Sequence, residues 1–267
     1  MHTAALKIDT RRKKILDRLV KDSSVSAAAL SRELGVSVVT IRNDLDALER
    51  SSCLTRVQGG AVLKKSSARP LVSCETEKLL IADAVSRIVK DGDTLFLNSG
   101  TTTEKIAEAL LSHKSLNIVT SSIVVATTLS AVSSFRVILL GGEINPQYGF
   151  TKGGDAQEQL RKYQADYAIL SVDGVSMMGG ITTYHADEAI IAQMMAEQAS
   201  QLIIAADHTK IGHAGFSMIC PAKKVSTLVT DPGAPQNSLE EIAAGGISVV
   251  ILPTGNAPRR MRPAKLP

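Results

Sequence analysis

The residues best suited to chemistry cluster in "TLFLNSGTTTEKIAEAL", residues 94 to 110. A short apolar run ends at Asn98, Ser99 and Gly100 make a turn, and Thr101, Thr102 and Thr103 open a helical pattern. Glycine lets backbone approach a ligand closely, and the amides and hydroxyls at a helix start suit an anion, which the positive end of the helix dipole favours. The same residues also serve as ordinary helix caps, so the turn takes its meaning from what stands near it. Other apolar runs end in similar residues: Thr120 with Ser121 and Ser122, Gly141 with Gly142, Asp173 with Gly174, and Asp207 with Lys210. Asp187 and Glu188 open the helical pattern "EAIIAQMMAEQA", where carboxylates suit the first turn and also face any ligand at the strand ends. Lys210 is the candidate partner of a phosphate. Such groups could hold a phosphorylated sugar, or, used as acid and base, isomerise or deaminate one.

Several chemistries are excluded. No Gly-Lys-Ser/Thr triplet and no dinucleotide fingerprint occurs. His185 with Asp187 lacks a second ligand pair at zinc or iron spacing, so no metal and no cofactor is expected. Cys53, Cys74 and Cys220 are odd in number and scattered, as reduced thiols are rather than a disulfide framework. No apolar run approaches the roughly 18 residues that span a bilayer, and the N-terminus lacks a secretory core, which points to a cytoplasmic protein without a membrane partner.

The elements that must position these residues alternate. Helical patterns at 77–90, 103–112 and 122–132 precede apolar runs at 94–98, 117–120 and 136–141 or follow them, and further runs lie at 167–172, 201–207, 226–230 and 247–252. This predicts a Rossmann-like α/β domain with a mostly parallel sheet over 77–252, in which ligands collect at the carboxyl ends of the strands. Residues 66–76 read as a linker, and the basic, proline-rich 253–267 as a disordered tail.

Residues 1–65 read differently. They carry 13 Lys/Arg against 7 Asp/Glu, whereas the remainder carries 17 against 19, so the basic character is local and meets a polyanion. Ile15, Leu16, Leu19 and Val20 stripe a first helix; Ala27, Leu30 and Leu34 stripe a second, which Ser26 caps and Gly35 ends. Ser37 caps a third, "VVTIRNDLDALER", whose Ile41, Leu45 and Leu48 share a face and leave Val39, Asn43 and Asp46 outward, with Arg42 on the flank. Two helices about a glycine turn make a helix-turn-helix, and a hairpin around Gln58-Gly59-Gly60 makes a wing. Arg42 and Asn43 are the candidate base readers; Ser37, Thr40 and Arg56 suit the DNA backbone.

"LSRELGVSVVTIRNDLDALERSSCLTRVQGGAVL" closely resembles the N-terminal signature of DeoR-type bacterial transcriptional regulators. "EKLLIADAV", "NSGTTT", "LLGGE", "GITTYHADEA" and "AADHTKIG" resemble successive signatures of that family's sensor domain, similar in fold to ribose-5-phosphate isomerase, glucosamine-6-phosphate deaminase and CoA transferases. The resemblance covers roughly residues 10 to 252. It implies a winged helix-turn-helix repressor of a carbohydrate operon, acting on operator DNA as a homo-oligomer, dimer or tetramer, and released by a phosphorylated sugar. Two positions depart from the family: Asn43 stands where a second Arg is frequent, and Asn98 where Asp is usual. An amide at 98 bonds a hydroxyl but cannot act as a base, which leans toward recognition over turnover.

Overall fold

The computed structural model describes residues 11–12, 14–16, 18–19, 24–50, 54–57, 59–63, 74–146, 148–252 and 259–261. The chain divides into two compact units, Met1–Ser73 and Cys74–Pro267.

In the first unit the described residues of 11–19 are helical (α1), followed by β1 (Ser24–Ser26), α2 (Ala27–Leu34), α3 (Val38–Arg50), β2 (Leu54–Val57) and β3 (Gly60–Leu63). The Ser26 side chain accepts from the Ala29 amide to cap α2, and Gly35 ends that helix in the left-handed region. Ile15, Leu19, Ala27, Leu30, Leu34, Ile41, Leu45 and Leu48 close into one apolar core with Leu54 and Ala61 of the wing. The expected stripes of α2 and α3 are therefore buried faces; in α1 Ile15 and Leu19 are buried and Leu16 half-buried, and Val20 lies outside the described residues. The wing hairpin pairs Leu54 to Leu63 through Val57 to Gly60, and β1, which the sequence pattern did not announce, adds to it as a third strand.

The second unit begins with α4 (Glu75–Ser86), two residues earlier than the sequence pattern placed it; the rest of the expected linker lies outside the described residues. There follow β4 (Thr94–Leu97), α5 (Thr101–Leu110), β5 (Asn117–Thr120), α6 (Ile123–Leu129), β6 (Arg136–Leu139), a hairpin of β7 (Glu143–Asn145) and β8 (Phe150–Lys152), α7 (Gly154–Leu160) and β9 (Ala165–Ser171). Then come β10 (Gly174–Ser176), β11 (Gly180–Thr183), α8 (Ala186–Glu197), β12 (Ala199–Ala205), β13 (Ser217–Cys220), β14 (Thr227–Thr230), α9 (Gln236–Ala244), β15 (Ser248–Ile251) and β16 (Arg259–Met261).

One eight-stranded sheet runs β16-β15-β14-β12-β9-β4-β5-β6. All its pairings are parallel except that of β16, which lies antiparallel on β15. The tail expected to be disordered thus supplies an edge strand at Arg259–Met261, where backbone pairing needs no apolar period; 253–258 and 262–267 lie outside the described residues. Side chains alternate across the sheet. Leu95 and Leu97 join Ile81 and Val85 of α4, Ile106 of α5 and Val125 of α6 on one face, while Phe96 and Leu170 join Leu160 of α7, Met195 of α8 and Ile242 of α9 on the other. Burial on both faces is why the strands read as continuous apolar runs. Among the described residues no helix is long and apolar enough to cross a membrane.

Candidate functional site

In the winged helix, α3 presents Arg42 and Asn43 exposed, with Val39 62% exposed beside them. Ser37 Oγ accepts the Thr40 amide at 3.0 Å and lies 2.8 Å from Thr40 Oγ1, so these two hydroxyls seal the start of the helix at the edge of the same surface. Arg56 is less free than expected. Its Nε lies 3.2 Å from Asp46 Oδ1 and its amide donates to Glu49 Oε1 at 2.7 Å, which ties the wing to α3. Asp44 went unnoticed in the sequence. It is 2% exposed and takes Arg11 Nε at 2.5 Å and Arg12 Nε at 3.0 Å, clamping α1 to α3 beneath the reading face. Its position three residues after buried Ile41 was the available signal.

In the second unit the sheet order changes direction between β4 and β9: β5 and β6 continue on one side, β12, β14 and β15 on the other. A crevice at the carboxyl ends of the two central strands is where α/β sheets of this type bind ligands. Ser99, Gly100 and Ser171 to Asp173 stand there. Gly100 has φ 140°, and a Cβ would collide with Ser171 Oγ, so the close approach of the two strand ends requires glycine. Helix α5 starts at once and has no side-chain cap, which leaves the first-turn amides of Thr101, Thr102 and Thr103 without an intrahelical acceptor.

Asn98 joins the ends of the two central strands. It is 1% exposed; its Nδ2 donates to the Ser171 carbonyl at 2.8 Å while its Oδ1 accepts from the Ser171 amide at 2.9 Å and lies 3.1 Å from Thr103 Oγ1. The side-chain amide extends the β4–β9 ladder by one step, as a peptide group would. It braces the ends of β4 and β9.

Above that brace runs a chain of polar contacts. Ser99 Oγ donates to Glu188 Oε1 at 2.7 Å, Thr183 Oγ1 lies 3.1 Å from Glu188 Oε2 and 3.0 Å from Asp173 Oδ2, the Tyr184 amide donates to Asp173 Oδ2 at 3.0 Å, and Lys210 Nζ lies 3.9 Å from Asp173 Oδ1. Burial pushes the Glu188 carboxyl up to about 7; Asp173 adds to this, and the Ser99 and Thr183 hydroxyls oppose it. Burial also lowers the His185 imidazole, against Asp173 and Asp187, and its ring packs on Tyr148 with centroids 4.3 Å apart. Lys152 is the second cation of the site. Its Nζ lies 3.1 Å from Asp187 Oδ2 and 3.3 Å from Glu143 Oε1, and the Asp187 hydrogen bond holds its ammonium above the ordinary range.

The remaining expected residues support this arrangement from outside. Thr120 is fully buried and accepts the Ser122 amide at 3.0 Å, turning the chain into α6. The Gly141 amide donates to Gln159 Oε1 at 2.9 Å, and Gly142, at φ 131°, leaves room for the Lys152 carbonyl, so the β7–β8 hairpin can deliver Lys152. Asp207 is 4% exposed and caps the turn that carries Lys210 by accepting from the Thr209 amide at 2.9 Å. Ser99, Asp173, Glu188 and Lys210 are thus brought together as expected. Lys152, Ser171 and Thr183 were missed; no local pattern marks them.

An exposed Arg–Asn face on the third helix of a winged fold, joined to an α/β domain whose polar strand ends meet at a switch point, fits a DNA-binding transcriptional regulator. The chain belongs to the DeoR family: the DeoR-like helix-turn-helix domain matches residues 11–67 and the DeoR C terminal sensor domain residues 73–232. A putative aga operon transcriptional repressor of Escherichia coli O157:H7 is 31% identical over 91% of this chain and 93% of its own length. The glycerol-3-phosphate regulon repressor of Escherichia coli K12 is 30% identical (88% and 95%), and the lactose phosphotransferase system repressor of Lactococcus lactis 32% identical (87% and 94%). Among solved structures, ribose 5-phosphate isomerase A of Methanocaldococcus jannaschii aligns over 51% of this chain and 54% of its own at 15% identity and a TM-score of 0.39, too slight a likeness to bear on function.

Proposed function

We propose that the protein represses a carbohydrate-metabolism operon and leaves its operator when a phosphorylated sugar binds the second unit. The observation that carries the effector class is the uncapped start of α5 at the β4–β9 switch point, beside a row of carboxylates and hydroxyls that ends at Lys210. The phosphate takes the Thr101 to Thr103 amides and a lysine, and the sugar hydroxyls take Asp173 and Glu188. The repressors among its relatives support the regulatory half of this reading. Arg42 and Asn43 read bases from α3, Ser37 and Thr40 touch the phosphate backbone, and a homo-oligomer, dimer or tetramer, sets the spacing of the operator half-sites. An effector that binds one conformational state better shifts the population away from the DNA-competent one.

The test combines two measurements. A thermal-shift screen of sugar phosphates, amino-sugar phosphates included, should return a stabilising hit that also releases the full-length protein from its promoter fragment. Lys210→Ala and Thr102→Ala should keep DNA affinity and blunt release. Arg42→Ala should weaken operator binding roughly 10- to 100-fold with unchanged melting, the value of one bidentate base contact. Unchanged operator affinity in Arg42→Ala would remove it from the reader, and a normal effector response in Lys210→Ala would place the pocket elsewhere.

One observation favours a second reading. Glu188, held near 7 beside Asp173, has the acidity a general acid–base group needs for sugar-phosphate isomerisation. Turnover of the effector by purified protein at ordinary enzyme rates, abolished in Glu188→Gln, would establish an enzyme and displace the sensor reading.

A further inference from the structure

A second cluster lies apart from the polar row. Cys74 Sγ, an Asp207 carboxylate oxygen and a ring nitrogen of His208 all lie within 4.8 Å of one another. Cys74 is 5% exposed and Asp207 4%. We propose that these three residues bind one divalent transition-metal ion of the zinc class.

The donor set fits that class. Thiolate, imidazole and carboxylate are the ligands of Zn²⁺, and hard ions such as Mg²⁺ or Ca²⁺ seek oxygen alone. Donors about an ion at ~2.0–2.3 Å stand roughly 3.5 Å apart, so closing the cluster takes only rotamer adjustment. Three protein ligands leave the fourth position to water.

The surroundings orient the ligands. His208 Nδ1 lies 3.0 Å from Asp231 Oδ2, and Asp231, 2% exposed, is itself fixed by the His208 amide at 2.6 Å and the Gly233 amide at 2.8 Å. A buried carboxylate on one imidazole nitrogen sets the ring for metal binding through the other, Nε2. Asp207 Oδ1 is taken by Thr209, which leaves Oδ2 for the ion. Thr230, next to Asp231 at the end of β14, has a buried hydroxyl without a hydrogen-bond partner among the described residues.

Charge points the same way. Two buried carboxylates, Asp207 and Asp231, lie near the thiol, and Lys78 and Lys210 are engaged with Glu75 and Asp173. Among the described residues Lys78 only partly offsets the burial and the carboxylates that raise the thiol, so a cation suits this neighbourhood. On binding, Cys74 releases its thiol proton to solvent, and the ion pins the first residue of the second unit to the turn that carries Lys210.

The experiment uses full-length, chelator-treated protein under a non-thiol reductant, titrated with Co²⁺ and then with Zn²⁺. One equivalent of Co²⁺ should produce a thiolate-to-cobalt charge-transfer band in the near ultraviolet, with visible bands of a tetrahedral ion, and Zn²⁺ should displace it. Cys74→Ala and His208→Ala should each abolish the band, Cys220→Ala should keep it, and Asp231→Asn should weaken Zn²⁺ binding ~10- to 100-fold. No charge-transfer band in the native protein, or a band that survives in Cys74→Ala, overturns the site and leaves a thiol packed against a capped turn. Should Cys74→Ala fail to fold by circular dichroism, His208→Ala decides by the same band.

Discussion

The reading face of the winged helix and the crevice of the second unit solve opposite problems. Arg42 and Asn43 stand exposed on α3, and the buried ion pairs beneath them are those of Asp44 with Arg11 and Arg12. At the strand ends of the second unit the polar side chains are tied to one another: Ser99, Glu188, Thr183, Asp173 and Lys210 form one row of contacts, braced by Asn98. A surface that must meet a large polyanion keeps its donors free, whereas a site that must respond to a small ligand couples its groups so that one contact is felt by all. Loss of a reader should therefore change binding alone, and loss of one of these coupled residues should change stability and response together.

The sharpest break is expected beneath the reader. Asp44→Ala removes the carboxylate on which two guanidiniums close, one of them buried, and should cost the first unit ~3–5 kcal/mol, the range for breaking a buried ion pair. Calorimetry should show that transition lowered with the second unit's transition in place; if Asp44→Ala melts like the native protein, the clamp is not what supports the reading helix.

Next comes the brace. Asn98→Leu keeps the volume and strands the Ser171 amide and carbonyl, with a cost of ~2–4 kcal/mol to the second unit and none to DNA reading by the first. Denaturant unfolding that leaves the second unit's midpoint unmoved would show that the ladder does not depend on this amide.

The smallest effect is electrostatic. The Glu188 carboxyl is raised from 4.5 to about 7, so the folded state holds a proton that the unfolded chain has released. Relative to alkaline pH its proton stabilises the fold in full below 4.5, the gain falls as pH rises from 4.5 to 7, and above that the carboxylate is left charged and buried at a cost. Glu188→Gln should flatten that part of the stability–pH curve and stabilise the protein at pH 8 by on the order of 1–3 kcal/mol. A curve of the native slope in the variant would assign the pH dependence to another group.

The helical stripes and buried strands were legible because their signals are local. Ile41, Leu45 and Leu48 repeat at helical spacing, and Leu95 to Leu97 are apolar throughout because helices cover both faces of the sheet. The antiparallel pieces of the second unit were not legible: β7–β8, β10–β11–β13 and β16 are three or four residues each, too short to show a period. The crevice was legible only as a set of polar strand ends. Asn98 and Ser171 are 73 positions apart, and Lys152 and Asp187 35, so nothing in either neighbourhood names its partner.

Residue order alone therefore settled the two-part plan, the exposed face of α3 and the turn that opens α5, since each rests on neighbours within a few positions of one another. The tertiary structure decided which strand lies beside β4. Hydrogen bonds reach only about 3 Å, and the order β9-β4 brings Ser171 to Asn98 and Asp173 to the row that begins at Ser99. With that order known, Asn98, expected from the sequence as a ligand contact, is seen to bridge the ends of β4 and β9.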